Sequence, residues 1–173
     1  MLVRTATQAD VDQIARVEAT CFPVAEAATR EEFQQRVARY GNHFLLMFDD
    51  GVPGAAGPDD DQGLPLVSFV NGLVTNERDL IDEMYSHAEM HDERGAWQMI
   101  FGVCTLPAYR HRGLASTLVA RVVADARAQH RKGVVLTCKD ALVPYYTALG
   151  FSDEGMSRST HGGVPWHQMR ATF

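Results

Sequence analysis

The sequence predicts an α/β fold in which helices flank a mixed β-sheet. The first observation behind this prediction is an alternation, over 173 residues, of segments with helical spacing and short apolar segments rich in β-branched residues. The second is a loop rich in Gly, Pro and Asp at 51–65, which joins two apolar segments after two helices, an order typical of α+β or mixed α/β domains. We therefore expect one domain, 1–173, with a sizeable core.

In the first half of the chain, capping and turn signals separate the elements. Thr7 can cap a helix whose apolar face holds Val11, Ile14 and Ala15. The letters "TREE" at 29–32 have capping-box spacing ahead of a second helix. The predicted elements are a strand at 2–6, these two helices, and strands at 43–48 and 66–75.

In the second half, strands alternate with helices. The segment 77–95 has helical periodicity through Leu80 and Met84, and we expect it to be a polar, exposed insertion. The other predicted elements are a strand at 97–105, a helix from Gly113 to Ala126, a buried strand at 133–139, a short helix ending at Gly150, and two strands around 161–163.

Composition excludes several classes of protein. The chain has 22 acidic and 16 basic residues, which argues against nucleic acid as the main partner. Its three cysteines fit neither a CxxC pair nor a disulfide framework, which indicates a reducing cytosol. No apolar run approaches the ~18 residues of a membrane span. We therefore expect a soluble cytoplasmic monomer or homodimer with no membrane partner.

The stretch "YRHRGLASTL" at 109–118 predicts an anion site at the start of a helix. Free N–H groups and the helix dipole favour negative charge there, and Gly113 lets a ligand approach the backbone. The small side chains of Ala115 and Ser116 keep that approach clear. The stretch is neither a Walker loop nor a dinucleotide fingerprint. The alternative is that Arg110 and Arg112 are solvated and Gly113 is only a turn.

The motif Arg110-x-x-Gly113-x-Ala115 after an apolar strand resembles the pyrophosphate signature of the GNAT superfamily of acetyl-CoA-dependent N-acetyltransferases. The order of elements is similar over essentially the whole chain. The segments "YRHRGLAS" and "LTCKDALVPYYTALGF" are most similar to the serotonin (arylalkylamine) N-acetyltransferase group, and "MHDERG" lies where that group has a His- and Gly-containing loop.

This resemblance implies a GNAT fold: a twisted mixed sheet splayed between its fourth and fifth strands, here 97–105 and 133–139, with four to five helices. It also implies acetyl-CoA as cosubstrate, with the pantetheine arm bonded to the first splayed strand and the pyrophosphate held by main-chain N–H groups. The implied coenzyme-binding residues are Val103, Cys104, Thr105, Arg110, His111, Arg112, Gly113, Leu114, Ala115 and Ser116.

For catalysis, the resemblance implies a tyrosine as general acid towards the coenzyme A sulfur, and counting from "DALVP" that residue is Tyr146. A phenol is protonated at neutral pH and can donate without further tuning. Adjacent helical residues point in different directions, so we favour Tyr146 over Tyr145. The alternative is that both are core or interface aromatics.

The general base is where the chain departs from the related group. The His-x-His pair of that group falls on Met99 and Phe101, which cannot take a proton. We predict His91 as the base because histidine titrates near neutral pH, with His87 and Glu26 as weaker alternatives. The pair in "HAEMH" lacks the H-E-x-x-H pattern and a third ligand, so we expect no metal.

The acceptor pocket is predicted from "CFPVAEAAT" at 21–29. Phe22 and Pro23 would form an apolar wall and Glu26 would bind an ammonium group, unless Phe22 is a core residue and Glu26 is exposed. We favour acetyl transfer to a primary amine of a small molecule. The alternatives are protein or peptide acetylation and an acyl-CoA-binding module without turnover. Arylalkylamines, polyamines, amino sugars and peptide amines are not separated by the sequence.

Overall fold

The computed structural model describes residues 1–51 and 63–173. Of the predicted loop at 51–65, residues 52–62 lie outside the described residues. The strands are β1 (Leu2–Thr5), β2 (Leu45–Phe48), β3 (Leu66–Asn71), β4 (Val74–Thr75), β5 (Trp97–Ile100), β6 (Gly102–Thr105), β7 (Gly133–Cys138), β8 (Ser152–Met156) and β9 (His167–Thr172). The α-helices are α1 (Val11–Cys21), α2 (Arg30–Tyr40), α3 (Glu83–Ser86), α4 (Leu114–Ala128) and α5 (Val143–Ala148).

The strands form two sheets of mixed orientation, which confirms the predicted α/β class. One sheet has the order β1-β2-β3-β6 and the other has the order β4-β5-β7-β9-β8. All pairs are antiparallel except β5 with β7, which run in parallel. A parallel pair needs a crossover, and α4 supplies it between these two strands.

The helices cover both faces of the first sheet. In β2, Leu46 and Phe48 pack against α1 and α2, whereas Leu45 and Met47 pack in the cluster that contains α4. This alternation follows from the two-residue period of a strand. The predicted capping box begins α2, since Thr29 accepts from the Glu32 N–H at 3.2 Å and the Glu32 carboxylate accepts from the Thr29 N–H at 2.7 Å.

The predicted splay between the strands at 97–105 and 133–139 is confirmed. β5 pairs with β7 as far as Ile100, which lies opposite Leu136. Beyond Phe101 the chain continues as β6 and pairs with β3 instead. β6 is the terminal strand of its sheet and does not pair with β7. The two strands diverge there, which leaves a gap between the two sheets.

Two segments predicted as single strands are divided between the sheets. The segment 66–75 breaks at Gly72, and 97–105 breaks at Phe101. A Cβ on Gly72 would overlap the carbonyl oxygen of Met99, so only glycine permits this close crossing. The Phe101 N–H donates to the Asn71 carbonyl at 2.8 Å, which joins the two breaks.

The prediction of an exposed helical insertion at 77–95 is confirmed in part: most of its polar residues are exposed, but the segment is not a continuous helix. The segment holds one turn of α-helix and one 3-10 turn, and Leu80, Met84 and Ala88 are buried. These side chains pack in a cluster with Tyr40 and Met99. The regular spacing of apolar residues in this segment therefore indicates buried positions. Among the described residues, no helix has the length and apolarity needed to cross a membrane.

Candidate active site between the splayed strands

A cavity of about 470 Å³ occupies the gap at the splay. β6, the start of α4 and α5 line it, together with Cys21 and Phe22. Nine of the ten predicted coenzyme-binding residues line this cavity. They are Val103, Cys104, Thr105, Arg110, His111, Gly113, Leu114, Ala115 and Ser116.

The backbone before α4 offers a row of free donors to this cavity. Gly113 has φ +78° and His111 has φ 61°, and a Cβ on Gly113 would meet nothing within 4 Å. Within the described part of the chain, the N–H groups from His111 to Ser116 form no hydrogen bond. Such a helix start suits a phosphate group, and the residues present therefore fit the pyrophosphate of coenzyme A.

The two arginines of the motif lie in different places. The Arg110 Nε donates to the Thr105 carbonyl at 3.1 Å, so its side chain stays beside β6 at the cavity. Arg112 donates to the Ala108 carbonyl at 3.0 Å and covers the ring of Tyr109 at 5.0 Å. Arg112 is therefore outside the cavity lining, and the structure does not bring it together with the other nine residues.

Tyr146 presents a phenol to the larger cavity. Its ring packs edge-on against Tyr145 and Phe151, and only 6% of the residue is exposed. Burial raises the pKa of Tyr146 above its usual range, so the hydroxyl stays protonated at neutral pH. This hydroxyl has no hydrogen bond within the described residues, whereas that of Tyr145 pairs with Ser116 Oγ at 3.0 Å.

A second cavity, of about 110 Å³, adjoins the first. Phe22 lines both cavities, and the successive β6 residues Gly102 and Val103 line one each. Aromatic rings of Tyr85, Phe101 and Trp166 form much of the wall of the smaller cavity. The two cavities therefore meet at β6.

The structure brings together two of the three predicted acceptor residues. Phe22 and Glu26 line the smaller cavity, whereas Pro23 is exposed and lines neither. The Glu26 side chain is only 7% exposed and accepts from Lys139 Nζ at 2.7 Å. The Glu26 carbonyl also accepts from His161 Nε2 at 2.9 Å. This carboxylate therefore already has a cationic partner.

Glu18 supplies an unpaired carboxylate in the smaller cavity, and we did not predict it from the sequence. The residue is 5% exposed. One oxygen accepts from the Ala28 N–H at 3.1 Å, and Oε2 has no partner in the described structure. Burial raises the pKa of Glu18 to about 7, against the opposing effect of that hydrogen bond.

Arg36 supplies an unpaired cationic donor in the same cavity. It is 4% exposed, lies over the rings of Phe33 and Phe101, and donates to Asn71 Oδ1 at 3.2 Å and to the Tyr85 carbonyl at 2.7 Å. Its Nε has no partner in the described structure. The sequence feature that could have indicated these two residues is their spacing. Glu18 follows Ile14 by four residues and Arg36 follows Phe33 by three, so both lie on apolar helix faces.

The predicted base His91 lies away from both cavities, in a cluster with His43, Glu93 and Arg131. Its Nδ1 accepts from the Val74 N–H at 3.1 Å, so the ring proton is on Nε2 and donates to Glu93 at 3.2 Å. Although partial burial opposes ionisation, hydrogen bonds from the His43 and Asn42 side chains lower the pKa of Glu93 to about 2.

The same cluster has the spacing of a metal site but not its chemistry. The ligand atoms of His43, His91 and Glu93 lie within 4.8 Å of one another. A metal at His91 Nε2 would require the proton on Nδ1, where the Val74 N–H already points. The Arg131 guanidinium also occupies Glu93 Oε1 at 3.1 Å. A hydrogen-bonded ion cluster fits these contacts better than a metal centre.

The chain is similar in fold to several solved structures. The GphF GNAT-like decarboxylase in complex with isobutyryl-CoA superposes with a TM-score of 0.79 at 17% identity, covering 99% of each chain. The loading GNATL domain of CurA from Lyngbya majuscula gives 0.78 at 13% identity, over 99% of this chain and 96% of that one. The ribosomal-protein-S18-alanine N-acetyltransferase from Escherichia coli gives 0.67 at 13% identity, over 99% and 92%.

A family model described as the acetyltransferase (GNAT) domain matches residues 73–173. That range holds the splay, the start of α4 and Tyr146. The narrower likeness to the arylalkylamine group stays a prediction. Because the model covers more than half of the sequence and the sheets have the splayed topology, the chain belongs to the GNAT family of acetyltransferases.

Proposed function

We propose that the protein transfers the acetyl group of acetyl-CoA to a primary amine of a small molecule. The observation that carries this proposal is the meeting of two cavities at Phe22 and β6, with a free phenol in the larger one and a free carboxylate in the smaller one. Direct acetyl transfer needs one group that takes a proton from the amine and one that gives a proton to the thiolate.

The larger cavity is the proposed site of the cosubstrate. The N–H groups from His111 to Ser116 would hold its pyrophosphate, with Arg110 adding positive charge. The outer edge of β6 pairs with no strand in the described structure, so its amides can bond to the pantetheine arm. Isobutyryl-CoA in one similar structure and CoA bound to the NatC complex in another support an acyl-CoA at this place.

The proposed chemistry uses one group from each cavity. Glu18 takes a proton from the ammonium group, and the amine nitrogen then attacks the thioester carbonyl carbon. A main-chain N–H of β6 near Val103 stabilises the charge that develops on the carbonyl oxygen. The C–N bond forms, the C–S bond breaks, and Tyr146 donates its proton to the leaving sulfur. The second proton that the nitrogen loses as the amide forms returns to Tyr146, and Glu18 releases its proton to solvent. We assign the base to Glu18, because His91 lines neither cavity.

The smaller cavity favours a small acceptor. Its volume of about 110 Å³ lies below the ~300–1,000 Å³ typical of sites for drug-sized ligands. His161 and Trp166 line it. The Trp166 indole donates to the His161 carbonyl at 2.8 Å, which stabilises the turn between these two residues beside the cavity. A peptide would need a groove that continues beyond this turn.

The test is release of coenzyme A thiol from acetyl-CoA with a panel of arylalkylamines, polyamines, amino acids and a lysine peptide. Binding of acetyl-CoA is measured in parallel by calorimetry. We expect saturable turnover with small amines and little with the peptide. Turnover on the peptide alone would replace the proposal with protein acetylation. Binding of acetyl-CoA without turnover on any amine would replace it with an acyl-CoA-binding module.

A further inference from the structure

The smaller cavity holds two buried ionisable side chains of opposite charge that do not pair with each other. Glu18 and Arg36 both line it, and each is more than nine-tenths buried. Glu18 Oε2 and Arg36 Nε lack partners in the described structure. No ion pair within 4 Å joins these two side chains, although the Arg36 charge acts on Glu18. Buried polar atoms are nearly always bonded, so each of these two atoms lacks an expected partner.

The other ionisable groups of this cavity are already engaged. Glu26 is paired with Lys139 at 2.7 Å. Glu32 accepts from the Thr29 N–H in the capping box, and His161 donates to the Glu26 carbonyl. Among the described residues that line this cavity, the buried polar atoms without a partner therefore belong to Glu18 and Arg36, one acceptor and one donor.

We propose that the acceptor is an amino acid, whose carboxylate binds Arg36 and whose α-ammonium group binds Glu18. This inference rests on the proposed function and specifies its substrate. Asn71 also lines the cavity, and its Oδ1 holds the Arg36 guanidinium at 3.2 Å, which orients the donor. A carboxylate on a buried arginine makes the strong, charge-assisted type of hydrogen bond.

The same pair disfavours the other acceptor classes. An arylalkylamine would satisfy Glu18 but leave the Arg36 Nε buried without a partner. A polyamine would bring a second cation towards the arginine. The aromatic rings of Phe22, Tyr85 and Trp166 in the wall favour an apolar side chain on the amino acid, and the volume of about 110 Å³ favours a small one.

The first test uses the wild-type protein and three matched forms of each acceptor: the amino acid, its amide and the corresponding decarboxylated amine, for alanine, leucine and phenylalanine. The kcat/KM values are expressed per protonated acceptor, the form from which Glu18 takes the proton. We expect the amino acid to exceed the decarboxylated amine by about 10- to 100-fold, the range for a hydrogen bond to a charged group. Equal values, or a preference for the plain amine, would overturn the inference and leave the proposed function intact.

The second test is Arg36→Gln, with Arg39→Gln, an exposed position of the same helix, as the control. The readout is the ratio of the amino acid and amine kcat/KM values, together with acetyl-CoA affinity as a check of the fold. We expect Arg36→Gln to reduce the ratio to about one and Arg39→Gln to preserve it. An unchanged ratio in folded Arg36→Gln would overturn the inference, and if that variant does not fold, the wild-type series decides. Absence of turnover on every amine would overturn the proposed function and this inference with it.

Discussion

At the residue scale, Glu18 lies where burial acts on a carboxyl group without a full set of partners. Its single hydrogen bond from the Ala28 N–H does not offset desolvation, so its pKa is about 7 in the folded protein. The reference value is 4.5, so the folded state retains the proton over a range in which the unfolded chain loses it. A buried acid of this kind costs stability as the pH rises, in exchange for a base poised near neutral pH.

Glu18→Gln should therefore change the pH dependence of stability. Between the reference pKa of 4.5 and the folded pKa of about 7, wild type binds more protons when folded, so its free energy of unfolding falls as the pH rises. The shift in pKa corresponds to a loss of about 3 kcal/mol from the wild-type free energy of unfolding between pH 4.5 and pH 8. The variant should not show this loss. Urea unfolding at both pH values measures this. Exposed Glu31→Gln is the control, and parallel pH profiles for all three proteins would contradict the pKa.

Tyr146→Phe tests the proposed acid. The change removes only the hydroxyl, which has no hydrogen bond within the described residues, so the fold should be unaffected. Loss of general acid catalysis should lower kcat by about 10²-fold or more, with acetyl-CoA affinity unchanged. Steady-state kinetics and calorimetry measure the two effects.

The matched control is Tyr145→Phe, which removes a hydroxyl that bonds to Ser116 Oγ at the start of α4. It should weaken acetyl-CoA binding by about one neutral hydrogen bond, less than about 10-fold, and change kcat little. A kcat loss in Tyr145→Phe that matches or exceeds that in Tyr146→Phe would contradict the assignment of Tyr146 as the acid.

At the scale of elements, the start of α4 depends on a backbone conformation that side chains resist. Gly113→Ala should cost about 1–2 kcal/mol of stability because φ is +78° there, and should also weaken acetyl-CoA binding by displacing the N–H groups. Gly155→Ala in β8, where φ is +88°, imposes similar strain away from the cavity and should leave affinity unchanged. Thermal unfolding and calorimetry on both variants separate strain from binding. Equal acetyl-CoA affinities would contradict a role for this loop in binding the pyrophosphate.

The sequence predicted elements whose signals are local. The Thr29–Glu32 capping box and the apolar face of α4 each depend on residues that are close together in the sequence, and both were confirmed. The breaks at Gly72 and Phe101 were missed because each depends on a backbone contact with the other segment, which is remote in sequence. Glu18 and Arg36 were missed because the sequence does not show that the two helices pack together. Only that packing brings both charged side chains to one cavity.

At the scale of the whole molecule, the two proposed substrates approach from opposite layers. α1 and α2 supply Glu18 and Arg36, whereas α4 and α5 supply the N–H groups and Tyr146. β6 lies between the two layers and lines both cavities. The proposed chemistry therefore depends on the packing of both helical layers against one strand, which no single motif encodes.

The cluster around His91 should support the fold without taking part in the reaction. His91→Ala leaves the Val74 N–H without its acceptor, so we expect a loss of about 1–3 kcal/mol of stability and kcat within about twofold of wild type. Exposed His87→Ala is the control and should change neither quantity. Unfolding and steady-state kinetics are measured together. A large kcat loss in a folded His91→Ala protein would return His91 to the role of base.

The most direct measurement of the central claim is the pH dependence of kcat/KM for wild type and Glu18→Gln with the same amine. A carboxylate base is active when deprotonated, so the wild-type rate should rise with pH through about 7. The variant should lack this step and be slower by about 10²- to 10⁴-fold at its optimum. An alkylamine ionises near ~10, well above this step, so the two ionisations are separate in the profile. Superimposable profiles with rates within about twofold would show that Glu18 does not take the proton.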